Sequence, residues 1–235
     1  MDIFLLAGQS NMAGRAPVEE FDRLVWPNLV CLAADGTWVP AVEPLHHDKS
    51  GAGVGPGSTF GRMVADAWPG RKIGLIPAAC GGSPIAAWQP GAYHKQTNSH
   101  PYDDAIVRTR RGMRDGRLRA ILWIQGESDS TAERAPLYHG RLVALIAGLR
   151  RDLNAEDVPF IIGRRPKYAQ SRDNPWRVVV DEAQRRAARE LPRVHFVDMP
   201  VLTSLPDGIH ADAASVREMG RRLAEAYLRI AAKED

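Results

Sequence analysis

Hydrophobic residues along the chain form two alternating patterns. Mostly apolar runs of four or five residues, each ending at glycine, proline or a polar residue, are typical of buried parallel strands. The longer segments between them repeat apolar residues every three or four positions, which is the spacing of one helix face. The runs lie at residues 3–7, 73–77, 120–124, 159–163 and 194–197, and the helical segments at 58–67, 101–115, 136–153, 175–190 and 213–230.

Strands that alternate with helices predict a parallel sheet covered by helices on both faces. We therefore predict an α/β fold, a three-layer α/β/α sandwich around a five-stranded parallel sheet. Ser58 and Asp212 are the expected N-caps of the first and last helices. The sequence has no internal repeat and no low-complexity tract, which predicts a single domain over residues 1–235.

One long region breaks this alternation. Residues 13–57 lack helical periodicity and are punctuated by prolines and glycines, with a β-hairpin predicted from 29–32 to 37–39 around Asp35-Gly36. A loop of this length in a compact domain is usually functional or disordered, and we predict an ordered insertion beside the site. Its stretch from Gly51 to Gly57 lacks the G-x-G-x-x-G spacing of a nucleotide-binding loop.

Composition narrows the classes of function. The 31 Lys and Arg against 28 Asp and Glu give a net charge of +3, and no basic groove with interleaved aromatics is visible, so no nucleic-acid partner is predicted. No apolar run approaches the ~18 residues of a membrane span, so no membrane partner is predicted either. Cys31 and Cys80 lack metal-site spacing and are interpreted as small buried residues. The N-terminus lacks a signal-peptide core, which predicts a cytoplasmic protein, although a secreted protein whose leader was removed would read the same.

Polar residues follow the ends of the predicted strands, and Ser10 comes first. The run from Ile3 to Ala7 leads into Gly8-Gln9-Ser10, where the glycine permits a sharp turn. Open α/β sheets bind ligands at the carboxyl edge of their strands, so Ser10 is a candidate nucleophile. The alternative is that Ser10 only caps the next segment.

A serine nucleophile needs a neighbouring base that a third group holds. Asp207 precedes His210 by three residues, and its carboxylate can hold the imidazole Nδ1–H while Nε2 faces the serine. Alternatively, Asp207 belongs to a plain turn and His210 packs under the terminal helix. The oxyanion of a tetrahedral intermediate also needs donors. Candidates at three predicted strand ends are the N–H groups of Ser10 and Gly82 and the side-chain amide of Gln125.

Four segments in order carry a resemblance to one family. Residues 8–12 read Gly-Gln-Ser-Asn-Met, 81–85 read Gly-Gly-Ser-Pro-Ile, 123–129 read Trp-Ile-Gln-Gly-Glu-Ser-Asp, and 207–210 read Asp-Gly-Ile-His. Together they resemble the sialate O-acetylesterase and acetylxylan esterase branch of the SGNH hydrolases, carbohydrate esterase family six. The likeness extends from residue 3 to about 230.

The resemblance implies a flavodoxin-like fold and hydrolysis of O-acetyl esters on carbohydrates, without a metal or cofactor. It makes Ser10 the nucleophile, His210 the general acid and base, and Asp207 the carboxylate that orients His210. The implied oxyanion donors are the amides of Ser10 and Gly82 and the Gln125 side chain. Motif alignment alone selects Gly82, so Gly81 stays open as the alternative.

Further residues are predicted to support the site. Gln9 and Asn11 flank the nucleophile, and the Asn11 side chain is expected to secure the nucleophile turn. Glu127 either contacts a sugar hydroxyl or holds the Ser10 turn through hydrogen bonds; we favour the second. Asp129 is expected to cap the turn that follows it.

Two sets of side chains could form a binding site, but each set also has a purely structural interpretation. One set is a candidate platform for stacking a sugar: Trp38, Trp88, Tyr93 and His94. For Trp88, packing in the core is equally expected. The other set invites a zinc site: His46, His47 and Asp48. Adjacent histidines point apart on an extended chain and no further ligand stands at metal-site spacing, so we predict no metal.

The leading hypothesis is a serine esterase that removes acetyl groups from a carbohydrate, whether acetylxylan, a sialic acid or a small acetylated sugar. The expected partner is thus a small-molecule or oligosaccharide acetyl ester. The alternatives are an SGNH lipase or thioesterase with a long apolar groove, and a non-catalytic carbohydrate-binding domain on the same scaffold. The sequence does not indicate the oligomeric state.

Overall fold

The computed structural model describes residues 1–169 and 174–233. Its strands are β1 (Asp2–Gly8), β2 (Leu29–Leu32), β3 (Trp38–Pro40), β4 (Ile73–Pro77), β5 (Arg117–Ile124), β6 (Phe160–Gly163), β7 (Lys167–Tyr168), β8 (Val194–Val197) and β9 (Val201–Leu202). Its helices are α1 (Ser10–Ala13), α2 (Pro56–Ala67), α3 (Pro101–Met113), α4 (Tyr138–Leu153), α5 (Pro175–Glu190) and α6 (Ala213–Ala231).

The main sheet has the strand order β3-β2-β4-β1-β5-β6-β8, and β7 and β9 form a small parallel pair beside it. In the main sheet β3 pairs antiparallel with β2, while the other neighbouring strands pair in parallel. The five predicted strands correspond to β4, β1, β5, β6 and β8, and they occupy adjacent positions in this order. The α/β prediction is therefore confirmed.

The predicted strand count is too low, because the hairpin of β2 and β3 joins the main sheet. Leu29 pairs in parallel with Ile73 of β4, and Cys31 pairs with Leu75. Leu29 and Cys31 are buried in the apolar cluster that includes residues of α2, so pairing with β4 places the apolar side of β2 under that helix. The main sheet consequently has seven strands rather than five.

Side chains of β1 alternate between two helical layers. Phe4 and Leu6 belong to one apolar cluster, which includes residues of α2 and α6. Ile3, Leu5 and Ala7 belong to the other cluster, which includes residues of α3, α4 and α5. Because neighbouring side chains of a strand point to opposite faces, a wholly apolar strand needs a covering layer on each side. This confirms the predicted three-layer sandwich.

The two predicted helix caps have different outcomes. Asp212 caps α6 by accepting a hydrogen bond from the Ser215 N–H at 2.9 Å. Ser58 does not cap α2, because that helix begins at Pro56 after Gly55. Proline is favoured at the first helical position, where its missing N–H is not needed. The expectation for Ser58 is therefore wrong by one turn.

Residues 13–57 form an ordered insertion, as predicted. The Arg62 guanidinium donates to the backbone carbonyls of Asp22 and Leu24, and Arg217 forms an ion pair with the buried Asp22 carboxylate. Farther along, Glu43 accepts the N–H groups of Leu45 and Gly55. These contacts tie the insertion to α2 and α6. Within the described ranges, no helix is both long and apolar enough to cross a lipid bilayer.

Candidate active site

The nucleophile turn lies at the carboxyl end of β1. Gly8 has a φ of +132°, and a Cβ on it would lie 2.0 Å from the carbonyl oxygen of Ile124. Only glycine fits both the backbone conformation and the close approach to β5. The turn places Ser10 as the first residue of α1, with Gln9 in the cap position. The alternative interpretation of Ser10 as a helix cap is therefore wrong.

Ser10 is enclosed but not sealed, with 6% of its surface exposed. Its N–H is among the first amides of α1, which have no acceptor inside a helix. Gln9 supports the turn, since its Oε1 lies 3.4 Å from the N–H groups of both Gly126 and Ser128 after β5. Gln9, which the sequence predicts as a supporting residue, thus links the end of β1 to the end of β5.

Asp207 and His210 form the hydrogen-bonded pair that the sequence predicts. Asp207 Oδ2 lies 2.6 Å from His210 Nδ1. Asp207 Oδ1 accepts the backbone N–H groups of Ile209 at 2.8 Å and His210 at 2.9 Å. Partial burial opposes ionisation, but these hydrogen bonds outweigh it and hold the pKa of Asp207 below its ordinary value. The carboxylate stays charged, engages Nδ1 and leaves Nε2 of the imidazole available.

Asn11 links the nucleophile turn to the segment that carries His210. Its Nδ2 donates to Glu127 Oε1 at 2.6 Å and to the Ile209 carbonyl at 3.3 Å. Its Oδ1 accepts the N–H of Ala211 at 3.0 Å. The favoured prediction for Glu127, a hydrogen bond to the Ser10 turn, is confirmed. The Asn11 side chain secures the Ser10 turn, as expected, and it does so by reaching across to the His210 segment rather than by bonding within its own turn.

Sequence reasoning missed Tyr168, which also belongs to this part of the site. Its hydroxyl donates to the Ile209 carbonyl at 3.0 Å. Burial, with the nearby carboxylate of Glu127, raises the pKa of Tyr168, so the hydroxyl keeps its proton. A single tyrosine in an irregular stretch carries no sequence signal for this role.

The second turn, after β4, distinguishes Gly81 from Gly82. The Gly81 N–H donates to Asp48 Oδ2 at 2.7 Å, and Asp48 is paired with Arg15 at 2.6 Å. His94 Nε2 lies 3.3 Å from the Gly81 carbonyl oxygen. Gly81 is thus engaged on both sides. In residues 1–169 and 174–233, no hydrogen bond occupies the Gly82 N–H, which supports the choice of Gly82 as an oxyanion donor.

Gln125 is held on every side within the interior. Its Nε2 donates to the Ser83 carbonyl at 3.1 Å and to Asp129 Oδ2 at 2.6 Å. The Tyr138 hydroxyl donates to Gln125 Oε1 at 2.8 Å and accepts from Gln184 Nε2 at 3.0 Å. The Tyr138 hydroxyl accepts from Gln184 and therefore gives its one proton to the oxygen of the Gln125 amide. The NH₂ end of that amide must then face Asp129. A hydrogen bond from Gln125 to an oxyanion would exchange one of the two Nε2 bonds, and that role stays a prediction.

Asp129 does not cap the following turn, so this expectation is wrong. Its Oδ2 accepts the Ile85 N–H at 2.8 Å as well as the Gln125 amide. Burial raises the pKa of Asp129, although these hydrogen bonds oppose the rise. The carboxylate points into the core because two donors are available there. It joins the segments that follow β4 and β5.

The predicted sugar platform is not assembled. Trp88 is buried, packs edge-on against Trp123 and donates its indole N–H to Ser83. Trp38 lies against Gly74 and donates to Asp115, which precedes β5 at the opposite edge of the sheet. His94 lies under the Gly81 turn, as described above. Tyr93 is exposed, stacks near His100 and donates to Asn98.

The histidines of the insertion have separate surroundings. His46 is buried, which lowers its pKa to about 3, whereas His47 is exposed and lies 3.4 Å from Arg108. Asp48 is committed to Arg15 and Gly81. Across the described ranges, no three His, Cys, Asp or Glu side chains come together in a way that could hold a metal ion.

Comparisons with known proteins show the family of this chain. Residues 1–229 match the family described as "Carbohydrate esterase, sialic acid-specific acetylesterase". The chain is 35% identical to a probable carbohydrate esterase of Arabidopsis thaliana, over 96% of this chain and 90% of the relative. The X-ray structure of that Arabidopsis protein has a TM-score of 0.82 at 33% identity and covers 97% of this chain and 98% of its own.

Two more distant structures share the fold. NanS has a TM-score of 0.78 at 18% identity, covering 98% of this chain and 97% of its own. XAC1771, a carbohydrate acetylesterase from Xanthomonas citri, has a TM-score of 0.75 at 22% identity, covering 99% of this chain and 57% of its own.

The mostly parallel sheet between two helical layers, with polar residues at the carboxyl ends of its strands, is the fold that the resemblance implies. The chain belongs to the sialic acid-specific acetylesterase family of carbohydrate esterases. The resemblance drawn from the four motifs is therefore confirmed.

Proposed function

We propose that this chain is a serine esterase that removes acetyl groups from carbohydrates through an acetyl-enzyme on Ser10. The observation that carries the proposal is the joining of two elements by Asn11. One is the turn that presents Ser10 at the end of β1, and the other is the segment in which Asp207 holds His210. A nucleophile, a base and an orienting carboxylate in this relation support acyl transfer.

In the first half-reaction, Ser10 Oγ attacks the acetyl carbonyl carbon while His210 Nε2 takes the hydroxyl proton. The negative charge moves to the carbonyl oxygen, where the N–H groups of Ser10 and Gly82 stabilise it. The bond between that carbon and the sugar oxygen then breaks. His210 returns the proton to the departing sugar hydroxyl, and the acetyl group stays on Ser10.

In the second half-reaction, a water gives a proton to His210 and attacks the acetyl-enzyme. The same amides stabilise the new oxyanion, acetate leaves, and His210 returns the proton to Ser10. Asp207 stays ionised throughout, since its hydrogen bonds lower its pKa. It holds the imidazole tautomer and stabilises the imidazolium that forms in each half-reaction.

We propose two roles for Gln125, one for each state of its network. Its bonds to Ser83 and Asp129 support the turn that presents the Gly82 N–H. In the tetrahedral intermediate, exchange of the Ser83 bond would direct one hydrogen of Nε2 to the oxyanion. The full charge of an oxyanion makes it a stronger acceptor than a carbonyl oxygen.

The surroundings favour a sugar over a long acyl chain. A cavity of about 330 Å³ adjoins the Gly81 turn through Asp48. Beside small apolar residues, its wall carries several polar or charged side chains, namely His46, His47, Asp48, Thr97, Ser99, Asp104 and Arg108. Such groups would lose hydration against a hydrocarbon chain without gaining partners, whereas sugar hydroxyls would satisfy them.

Replacing the nucleophile tests the proposal directly. In Ser10→Ala, we expect kcat/KM for p-nitrophenyl acetate to fall by at least about 10³-fold with an unchanged circular dichroism spectrum. Ser50→Ala, at an exposed serine of the insertion, should retain wild-type activity. Acetate release across a panel of acetylated xylan, sialic acids and small sugars then identifies the substrate class.

Three outcomes would contradict this function. Full activity in Ser10→Ala would exclude the acetyl-enzyme. Octanoyl esters cleaved faster than acetyl esters would indicate a lipase or thioesterase. Sugar binding with no ester turnover would indicate a non-catalytic binding domain.

A further inference from the structure

The side chain of Asn11 holds both peptide groups that flank His210. Its Nδ2 donates to the carbonyl of Ile209, and its Oδ1 accepts the N–H of Ala211. Asn11 is only 2% exposed, and it directly follows Ser10 in the chain. One short, buried side chain, that of the residue after Ser10, therefore bonds to both neighbours of His210.

The backbone groups beside His210 decide the orientation of the Asn11 amide. The Ile209 carbonyl can only accept and the Ala211 N–H can only donate. The NH₂ end of the amide therefore faces Ile209, and it also donates to Glu127 Oε1 at 2.6 Å. In this orientation Oδ1 is left for the Ala211 N–H. The reversed amide would lose the bonds to Glu127, Ile209 and Ala211 together.

Tyr168 holds the same segment from a second direction. Its hydroxyl donates to the Ile209 carbonyl that Asn11 also contacts. Tyr168 ends β7, which pairs with β9 through Tyr168 and Leu202. The chain then runs from β9 into the segment with Asp207 and His210. The Ile209 carbonyl is thus held by two donors that come from different parts of the fold.

The hydrogen bonds of Asp207 cannot replace these contacts. All three go to its own segment: to the N–H groups of Ile209 and His210 and to the His210 imidazole. They shape the segment but do not connect it to Ser10. Asp207, Gly208 and Ile209 are exposed, so core packing does little to fix the position of this segment.

We propose that Asn11 and Tyr168 are positioning residues that hold the His210 imidazole at its working distance from Ser10. The inference rests on the proposed hydrolysis through Ser10 and His210. A misplacement of about 1 Å can cost about 10²-fold in rate. Because neither side chain is assigned a contact with the substrate, their loss lowers kcat and leaves KM nearly unchanged.

Four single variants test this inference on p-nitrophenyl acetate. We expect kcat to fall about 10²-fold in Asn11→Ala and about 10-fold in Tyr168→Phe, with KM within about 2-fold of wild type. Asn28→Ala is a matched control, because Asn28 holds the carbonyls of Ala65 and Arg71 away from the site. Tyr102→Phe is the other, because its buried hydroxyl donates to Asp152 between α3 and α4. Both controls should retain kcat.

Proton NMR supplies a readout that separates placement from a general structural role. The short bond between Asp207 and His210 should give a downfield Nδ1 proton signal, which Asp207→Asn should lose. We expect this signal to persist in Asn11→Ala and Tyr168→Phe, because the bond lies within the segment. A lost signal in these two variants would overturn the inference, since they would then maintain the pair itself.

The activities of the variants also decide whether the positioning role is correct. A kcat for Asn11→Ala within about 3-fold of wild type, or no larger a loss than in Asn28→Ala, would overturn the inference. If Asn11→Ala does not fold, Tyr168→Phe against Tyr102→Phe decides alone. An inactive Ser10→Ala beside an active Asn11→Ala would remove only the positioning role, whereas an active Ser10→Ala would remove the proposed function.

Discussion

Asp129 and Asp207 lie in different segments near the Ser10 turn, and their carboxylates differ in burial and in the direction of their pKa shifts. Asp129 is 0% exposed, and burial raises its pKa. The side chain of Asp207 is 42% exposed, and the hydrogen bonds it accepts lower its pKa despite partial burial. One carboxylate is part of the core, and the other belongs to a surface segment.

The difference shows how each half of the site is kept in place. Asp129 joins the Ile85 N–H and the Gln125 amide, so it ties the segments after β4 and β5 together inside the protein. The side with the proposed oxyanion donors is therefore organised by a packed polar network. Asp207 bonds only within its own segment, to which Asn11 and Tyr168 donate hydrogen bonds from other parts of the fold. The base side is organised by local turn chemistry and a few long-range hydrogen bonds.

The largest expected effect separates the two carboxylates by function. Asp207→Asn should lower kcat on p-nitrophenyl acetate by about 10³–10⁴-fold, because His210 would lose the acceptor that holds its tautomer and stabilises the imidazolium. The urea midpoint at neutral pH should fall only slightly, because Asp207 is on the surface and its lowered pKa represents a small stabilisation. A loss below about 10-fold would show that the two carboxylates do not differ in the way described.

A smaller effect tests the buried network at Gln125. Gln125→Ala should lower kcat by about 10²-fold if its amide reaches the oxyanion, and it should reduce the unfolding free energy by about 1–3 kcal/mol because buried partners are left unpaired. Tyr138→Phe removes the hydrogen bond to Gln125 Oε1 but leaves both Nε2 hydrogens in place. Equal losses of kcat in the two variants would assign Gln125 a purely structural role.

The smallest expected effect concerns the pH dependence of stability. The raised pKa of Asp129 means that the folded state binds its proton more tightly, so stability should fall as pH rises above the unfolded value of about 3.9. The lowered pKa of Asp207 acts oppositely: its contribution is present above about 3.9 and is lost as pH falls through the lowered value.

Urea unfolding between pH 3 and 7 measures both slopes. Asp129→Asn should remove the decline with rising pH, and Asp207→Asn should remove the loss at acid pH. Slopes of the same sign at both positions would contradict the comparison.

Several features could be predicted from the sequence because their causes are local. Apolar runs predict five adjacent strands of the main sheet, and Gly8 predicts the sharp turn before Ser10. The interval between Asp207 and His210 predicts their hydrogen bond, because a carboxylate three residues away can reach Nδ1 across a turn. The N-cap of α6 at Asp212 is local in the same sense.

The features that sequence reasoning missed depend on contacts between distant segments. Asp129 was expected to cap the next turn, but its best donors come from the Gln125 side chain and from Ile85, 44 residues earlier. Tyr168 stands in an irregular stretch and acquires its role only where β7 and β9 pair. The hairpin of β2 and β3 joins the main sheet because β2 pairs with the edge of β4 and packs Leu29 and Cys31 into the cluster that includes residues of α2.

By itself, the sequence determined the order of strands and helices, the turn at Ser10 and the pairing of Asp207 with His210. These follow from periodicity, backbone preference and short-range hydrogen bonding. Only the tertiary structure decided that Asn11 meets Glu127, 116 residues away, and the flanks of His210, about 200 residues away. In a packed interior each donor bonds to the acceptor that the fold brings near. The spacing of residues along the chain therefore does not predict which distant partners will form a hydrogen bond.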